Sequence, residues 1–106
     1  MDFLTSHSLS EIIEQSHKER VVIFKYSANC GTSSRLKAEL QKKSGEKNFQ
    51  KPMYLVVVQD QPTLSKKIEE YFEIRHETPQ IISLKKGKIH YMGHHKEIDL
   101  NKAFKD

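Results

Sequence analysis

Cys30 is the single cysteine of the 106-residue chain, and it lies where a thiol is expected to be reactive. The apolar, β-branched run Val21–Tyr26 predicts a strand that ends shortly before it, and an amphipathic segment begins at it. At the start of a helix, unpaired backbone N–H groups and the positive end of the helix dipole stabilise a thiolate. Such cysteines have a pKa lowered from about 8.5 to between ~3.5 and ~7.5. The position predicts thiol-transfer chemistry, with a buried structural cysteine as the alternative.

Small and polar residues surround the thiol in the sequence. Asn29, Gly31, Thr32 and Ser33 are small or polar. Such neighbours are unusual beside a core residue but suit an accessible active-site loop. The hydroxyl of Ser33, three positions after Cys30, can donate a hydrogen bond to the sulfur. With one cysteine no internal disulfide can form, so any disulfide joins Cys30 to another molecule. We therefore predict Cys30 and Ser33 as catalytic residues.

A lowered pKa affects the departure of the sulfur more than its attack. With a pKa of about 6, the thiolate fraction at neutral pH rises roughly thirtyfold, while a Brønsted slope of about 0.45 lowers the intrinsic nucleophilicity roughly thirteenfold. The net gain in attack is only about twofold to threefold. Because a low-pKa thiolate also leaves quickly, a mixed disulfide on Cys30 is expected to be resolved rapidly by a second thiol.

The dipeptide Thr78-Pro79 precedes the apolar run Ile81–Leu84 and is a second candidate for the site. Proline lacks a backbone donor, so it is expected where a strand of the sheet begins. A cis peptide bond there would place the backbone of Thr78 beside the thiol, where it could pair with an extended substrate. A trans turn proline is the alternative. His76 is a candidate neighbour of the thiol, or else an exposed loop histidine.

The other polar clusters predict neither a metal site nor a nucleic-acid site. His90, His94 and His95 include adjacent residues, whose side chains point apart on a strand or turn, and no other strong ligand set recurs. The lysines of Lys85–Lys88 flank a glycine and are expected at a solvated hairpin tip, without the stacking aromatics of single-strand binders. The formal net charge of +4 comes from basic residues interleaved with acidic ones.

The periodicity of apolar residues predicts eight elements around these candidates. The first four are a helix over about 8–18, a strand Val21–Tyr26, a helix Cys30–Lys43 stopped by Ser44 and Gly45, and a strand Tyr54–Gln59. The last four are a helix from a cap at Asp60 or Thr63 to near Ile74, strands Ile81–Leu84 and Ile89–Met92 closed by Gly93, and a helix around Leu100–Phe104 led by Glu97 or Asp99.

The order α-β-α-β-α-β-β-α predicts an α/β protein with the thioredoxin fold. We expect one domain over 1–106, in which helices flank a central four-stranded mixed sheet. Right-handed crossovers make the first two strands parallel and place Cys30 at the carboxyl edge of the sheet, where sites of α/β proteins usually lie. The near-continuous apolar run Tyr54–Val58 predicts a central strand that is buried on both faces.

The composition and the apolar runs of the chain indicate its cellular compartment and the classes of partner it can bind. Apolar residues make up 36% of the chain and charged residues 30%, as expected of a small domain with one core. The longest apolar run is far shorter than the ~20 residues that cross a bilayer, and the N-terminus lacks the features of a secretory signal. We therefore expect a cytoplasmic monomer with no membrane partner and no nucleic-acid partner.

Together these motifs resemble the YtxJ-like monothiol bacilliredoxins, thioredoxin-fold redox proteins of the bacillithiol system. The segment Ile74–Gln80 is similar to the family's stretch around a cis-proline almost residue for residue. The pairing of Cys30 with Ser33, a serine in place of a resolving cysteine, is the second match. The strand residues Val56–Gln59 are a weaker third match. The resemblance covers nearly the whole chain.

The resemblance implies a function for the site. Cys30 would take bacillithiol, or a similar low-molecular-weight thiol, from mixed disulfides on client proteins, with that thiol as co-substrate and no bound cofactor. The residues expected to contact the substrate are Gly31, Thr32, His76, Thr78 and Pro79.

Two positions depart from the expected family pattern. Gly31 stands where proline is expected, and Lys96 stands where tryptophan is expected. Because of Gly31, Cys-Gly-Thr-Ser also resembles the motif of monothiol glutaredoxins, which leaves a glutaredoxin-like thiol transferase or an iron–sulfur carrier as an alternative. A non-catalytic peptide-binding module with the thioredoxin fold is the third possibility.

Overall fold

A computed structural model describes residues 3–6, 8–43 and 45–105 of the chain. Over this part, the helices are α1 (Leu9–Lys18), α2 (Gly31–Lys43), α3 (Pro62–Phe72) and α4 (Leu100–Phe104), and the strands are β1 (Val21–Tyr26), β2 (Met53–Val57), β3 (Gln80–Lys85) and β4 (Lys88–His94). Short 3-10 helices cover Lys47–Phe49 and His95–Glu97. The predicted order of helices and strands is confirmed.

The four strands form one mixed sheet in the order β2-β1-β3-β4. Strands β1 and β2 are parallel, as predicted, and β3 is antiparallel to both β1 and β4. The prediction of a central strand at Tyr54–Gln59 is wrong, because β2 begins at Met53, ends at Val57 and lies at the edge of the sheet. The segment before α1 pairs with it: the Leu4 N–H donates to Met53 O at 2.7 Å, and the Leu55 N–H donates to Leu4 O at 2.9 Å.

The sheet separates two apolar layers, and β1 contributes to both. Val21 and Ile23 pack on the face covered by α1 and α3, whereas Val22 and Phe24 pack on the face covered by α2 and α4. The alternation of a strand places Lys25 on the first of these faces, and its side chain is fully buried. This buried lysine is the unusual feature of an otherwise apolar central strand.

Local capping explains where several helices begin. Ser8 caps α1 as predicted, since its hydroxyl accepts from the Glu11 N–H at 3.3 Å. Asp99, one of the two acidic residues predicted near the start of the last helix, caps α4 and accepts from the Lys102 N–H at 3.2 Å. Helix α2 begins at Gly31, one residue after the predicted start. Its predicted stop at Ser44 lies outside the described residues.

Helix α3 differs from its prediction at both ends. Neither Asp60 nor Thr63 caps it, because Gln61 holds the N-cap position and Pro62 begins the helix. Proline suits this position because its missing N–H has no partner in the first turn of a helix. The helix ends at Phe72 and not near Ile74, because the following residue adopts a left-handed conformation.

Gly93 lies inside β4 and does not close the hairpin, since the strand continues to His94. A Cβ atom at Gly93 would lie 2.5 Å from the hydroxyl oxygen of Tyr91, and that oxygen accepts from the Asp99 N–H at 2.8 Å.

We expect Gly93→Ala to lower the free energy of unfolding by about 1–3 kcal/mol, because the rigid Tyr91 ring must move. Urea unfolding measures this, with Gly45→Ala as control, because no atom lies within 4 Å of that Cβ position. Equal losses in both variants would contradict the steric account.

Candidate active site

Cys30 lies between the end of β1 and the first residue of α2, as the sequence predicts. A tight turn brings it there: the Cys30 N–H donates to Ser27 O at 3.2 Å, and the Ser34 N–H donates to Cys30 O at 3.1 Å. The residue is partly exposed. The thiol therefore stands at the carboxyl end of a central strand, beside the unpaired N–H groups that open α2.

Donors from two residues converge on the Cys30 sulfur and lower its pKa below the ordinary value for cysteine. The backbone N–H of Ser33 is the largest cause, followed by the Ser33 hydroxyl, and the N–H and hydroxyl of Thr32 add to them. Partial desolvation of the sulfur acts in the opposite direction and is outweighed. Ser33 is itself fully buried, which holds its hydroxyl in place. The geometry therefore favours the thiolate.

Replacing Ser33 by alanine is expected to raise the pKa of Cys30 without restoring the ordinary value. The change removes the hydroxyl donor but leaves the backbone N–H groups of Ser33 and Thr32 in place. Thiolate absorbance as a function of pH measures the shift, and Ser34→Ala in the same helical turn is the matched control. An unchanged pKa in Ser33→Ala would show that the hydroxyl does not stabilise the thiolate.

Gln59 holds the loop that precedes the thiol, a role that the sequence reading did not find. Its side-chain carbonyl accepts from the Ala28 N–H at 3.1 Å, and its amide donates to Ser27 Oγ at 2.8 Å. The Ser27 N–H in turn donates to Ser33 Oγ at 3.4 Å, and the Asn29 N–H donates to Ser27 Oγ at 3.4 Å. These bonds connect Gln59, two residues after the end of β2, to the first turn of α2.

The peptide bond between Thr78 and Pro79 is cis. Pro79 is buried immediately before β3 and lines a surface groove together with Thr32 of the cysteine motif. The sequence predicted His95 as a solvated surface residue, but it holds the loop around Pro79. Its N–H donates to Pro79 O at 3.0 Å, and its Nε2 lies 2.7 Å from Glu77 Oε2. That hydrogen bond lowers the pKa of Glu77. The structure thus brings the cis-proline and the cysteine motif to one groove.

His76 lies on the α3 side of the loop before Pro79. Its N–H donates to Glu69 Oε2 at 2.8 Å, and its Nδ1 lies 3.5 Å from Ser65 Oγ. Desolvation, followed by the positive charge of Lys25, lowers the pKa of the imidazole. Among the described residues, no hydrogen bond joins His76 to Cys30. Its role in substrate binding stays a prediction.

A buried polar cluster lies beneath that loop. Lys25 Nζ donates to Ser65 O at 3.2 Å, and burial lowers the pKa of this ammonium to about 8, against the opposing attraction of Glu69. Gln80, the residue after the cis-proline, is directly opposite Lys25 across β1 and β3 and is fully buried. Its amide donates to Arg75 O at 3.0 Å. The cluster connects the loop of the cis-proline to the interior.

Metal and membrane sites find no support in the described part of the chain. Within residues 3–6, 8–43 and 45–105, no group of three or more histidine, cysteine or acidic side chains could hold a metal ion. His94 lies 3.7 Å from Glu97, in the 3-10 helix after β4. In the same ranges, no helix has the length and apolar character needed to cross a membrane.

The sheet order and the single thiol after β1 define a protein with the thioredoxin fold and a thiol at the carboxyl end of its central strand. A solved structure described as a presumed oxidoreductase with a thioredoxin fold matches with a TM-score of 0.78 at 21% identity, over 93% of this chain and 88% of that chain. Thioredoxin from Malassezia sympodialis matches with a TM-score of 0.70 at 20% identity, over 88% and 78% of the two chains. Thioredoxin from Fasciola hepatica gives 0.66 at 18% identity, over 89% and 86%. These likenesses confirm the predicted fold.

The sequence defines the family more narrowly. The model of the monothiol bacilliredoxin family BrxC matches residues 2–103, and the chain belongs to that family. This confirms the resemblance stated from the cysteine and proline motifs. No curated protein sequence matches the chain. Family and fold together make the protein a thiol oxidoreductase with one cysteine.

Proposed function

We propose that the protein acts as a cytoplasmic, monomeric transferase that removes bacillithiol from mixed disulfides on client proteins, without a bound cofactor. The single observation that carries the proposal is the Cys30 sulfur itself, partly exposed and surrounded by donors from Thr32 and Ser33, with no second thiol in the chain. A lowered pKa supports both formation and departure of a mixed disulfide. Membership of the bacilliredoxin family supports bacillithiol as the thiol transferred.

The reaction consists of two thiol–disulfide exchanges. In the first, the Cys30 thiolate attacks the bacillithiol sulfur of the client mixed disulfide. A new S–S bond joins Cys30 to bacillithiol, and the client leaves as a thiolate. In the second, another low-molecular-weight thiolate attacks the bacillithiol sulfur, forms a disulfide with it and returns the Cys30 thiolate. Each step breaks one S–S bond and forms one, so the second thiol is the only reductant required.

The loop at Thr78-Pro79 supplies the binding surface in this proposal. Thr78 lies just before β3, next to Pro79, which lines the groove together with Thr32. An extended client segment can therefore form backbone hydrogen bonds along this edge at Thr78. The bond between His95 and Glu77 and the bond from Gln80 to Arg75 O hold this edge from its two sides. A preformed edge of this kind lowers the entropy lost on binding.

The test uses a purified client protein that carries bacillithiol on one cysteine. We expect the wild-type protein, with free bacillithiol as second thiol, to restore the client thiol at least about tenfold faster than Cys30→Ser, because serine cannot form the mixed disulfide. Ser34→Ala is the matched control, since it removes a hydroxyl from the same turn of α2 and leaves the sulfur. Release is followed by mass spectrometry of the client. Equal rates for the wild type and Cys30→Ser would refute the proposal.

A further inference from the structure

A groove of about 560 Å³ begins at the active site and continues along α2. Thr32 and Pro79 line its near end, while Arg35, Glu39 and Lys43 line one wall farther along the helix. The opposite wall comes from the segment between β4 and α4. Grooves of this volume match the size of small-molecule sites, which range over ~300–1,000 Å³.

The positions along α2 set a length scale. With a rise of about 1.5 Å per residue, Arg35 lies roughly 5 Å along the helix axis from Thr32, and Lys43 lies roughly 16 Å from it. A small thiol whose sulfur is joined to Cys30 can therefore extend beside Arg35 and Glu39. Cys30 itself does not line the groove, but Thr32 does, and the N–H and hydroxyl of Thr32 help to lower the pKa of the Cys30 sulfur.

Most charged groups of the groove already have partners within the chain. Lys43 Nζ lies 5.3 Å from the centre of the Phe49 ring, and Asp99 accepts from the first turn of α4. Glu97 lies 3.7 Å from His94. Arg35 and Glu39 are different: both side chains are exposed, and none of the ion pairs among the described residues involves either of them. A guanidinium in this position matches a carboxylate, which it can bind through two parallel hydrogen bonds.

We propose that this groove binds the body of a low-molecular-weight thiol that carries carboxylates and an amine, and that Arg35 selects the carboxylate. The inference rests on the proposed function, since the body enters the groove when its sulfur is joined to Cys30. Glu39, one turn after Arg35 on the same wall, suits the amine. During the exchange the client sulfur leaves the sulfur of the transferred thiol on the side opposite Cys30. The groove therefore holds the transferred thiol, and the backbone edge at Thr78 holds the client.

Deprotection of three conjugates of one model peptide tests the role of Arg35. The peptide cysteine carries bacillithiol or glutathione, which have carboxylates and an amine, or cysteamine, which has only the amine. We expect Arg35→Gln to lower kcat/KM roughly tenfold for the first two and to leave the cysteamine conjugate unchanged. Arg35→Lys should recover part of the loss. Lys42→Gln is the matched control, since it removes one positive charge from an exposed position of α2 that does not line the groove.

A second measurement separates the groove from the catalytic proposal. Cys30 is converted chemically into a mixed disulfide with bacillithiol or with methanethiol, and backbone amide shifts are compared by NMR. We expect both adducts to shift the amides of residues 31–33. Only the bacillithiol adduct should shift those of Arg35, Glu39 and Asn101, the last of which lines the opposite wall. If these shifts occur while no conjugate is deprotected, the groove stands and the transferase proposal fails. The groove proposal is overturned if deprotection proceeds but the methanethiol adduct gives the same amide shifts as the bacillithiol adduct, and Arg35→Gln affects the cysteamine conjugate as much as the other two.

Discussion

Ser33→Cys is expected to convert the monothiol site into a dithiol site that closes an internal disulfide with Cys30. Ser33 follows Cys30 by three positions, its hydroxyl helps to lower the pKa of the Cys30 thiol, and the residue is buried in the first turn of α2. A sulfur at that position can approach the Cys30 sulfur to bonding distance with little backbone movement. After mild oxidation, intact mass spectrometry should show the loss of two hydrogen atoms and no alkylatable thiol in the native protein.

The same substitution should change how a mixed disulfide is resolved. In the variant, the new thiol attacks the Cys30 sulfur within the same molecule and releases the small thiol, so single turnover no longer requires a second thiol. Ser34→Cys is the control, because the Ser34 hydroxyl lies 3.4 Å from Tyr26 Oη and points to that ring. An oxidised Ser33→Cys protein that keeps two free thiols would contradict the placement of Ser33 beside the sulfur.

Lys25→Met is expected to raise the free energy of unfolding at pH 7 by about 2 kcal/mol. Burial lowers the folded-state pKa of Lys25 from 10.5 to about 8, and one pKa unit corresponds to about 1.4 kcal/mol, so charging this lysine costs at most about 3 kcal/mol. The groups that face it are Ser65 and Glu69 of α3, His76 of the following loop and Gln80 of β3. Loss of the bond to Ser65 O offsets part of the gain.

The dependence of folding stability on pH distinguishes the loss of a buried charge from a change in packing. Between pH 8 and 10.5 the unfolded chain binds the Lys25 proton and the folded chain does not, so the stability of the wild type contains a contribution that rises with pH over this window. Lys25→Met should lack that contribution, whereas Lys67→Met, at an exposed position of α3, should retain it. Removing the ammonium should also raise the pKa of His76, measured by NMR. Lower stability of Lys25→Met at every pH would contradict this account.

Features with local signals in the sequence were predicted well. The cap of α1 depends on residues three apart, and the strand β1 follows from an uninterrupted apolar run. The place of Cys30 between β1 and α2 follows from the change at that point from the apolar run of a strand to the apolar periodicity of an amphipathic helix. The edge position of β2 was not predicted, because it depends on β3 pairing with β1, more than fifty residues earlier in the chain, and not with β2.

The residues missed at the candidate site act over long sequence separations. Gln59 contacts Ala28 from 31 positions away, and His95 contacts Glu77 from 18 positions away, so no periodicity reports either bond. Lys25 did carry a signal: it shares the parity of Val21 and Ile23 in a strand, and both of these are core residues. A lysine in that register predicts a buried ammonium with a polar partner on a neighbouring element, which here is α3.

Trapping the covalent state of Cys30 during turnover tests whether this sulfur takes bacillithiol from the client. The wild-type protein is mixed with a bacillithiolated client in the absence of any second thiol, quenched in acid and analysed by mass spectrometry. We expect bacillithiol on Cys30 in amounts equal to the free client thiol produced, and loss of the adduct when a second thiol is added before the quench. Client protein attached to Cys30, or client thiol released while Cys30 stays unmodified, would contradict this expectation.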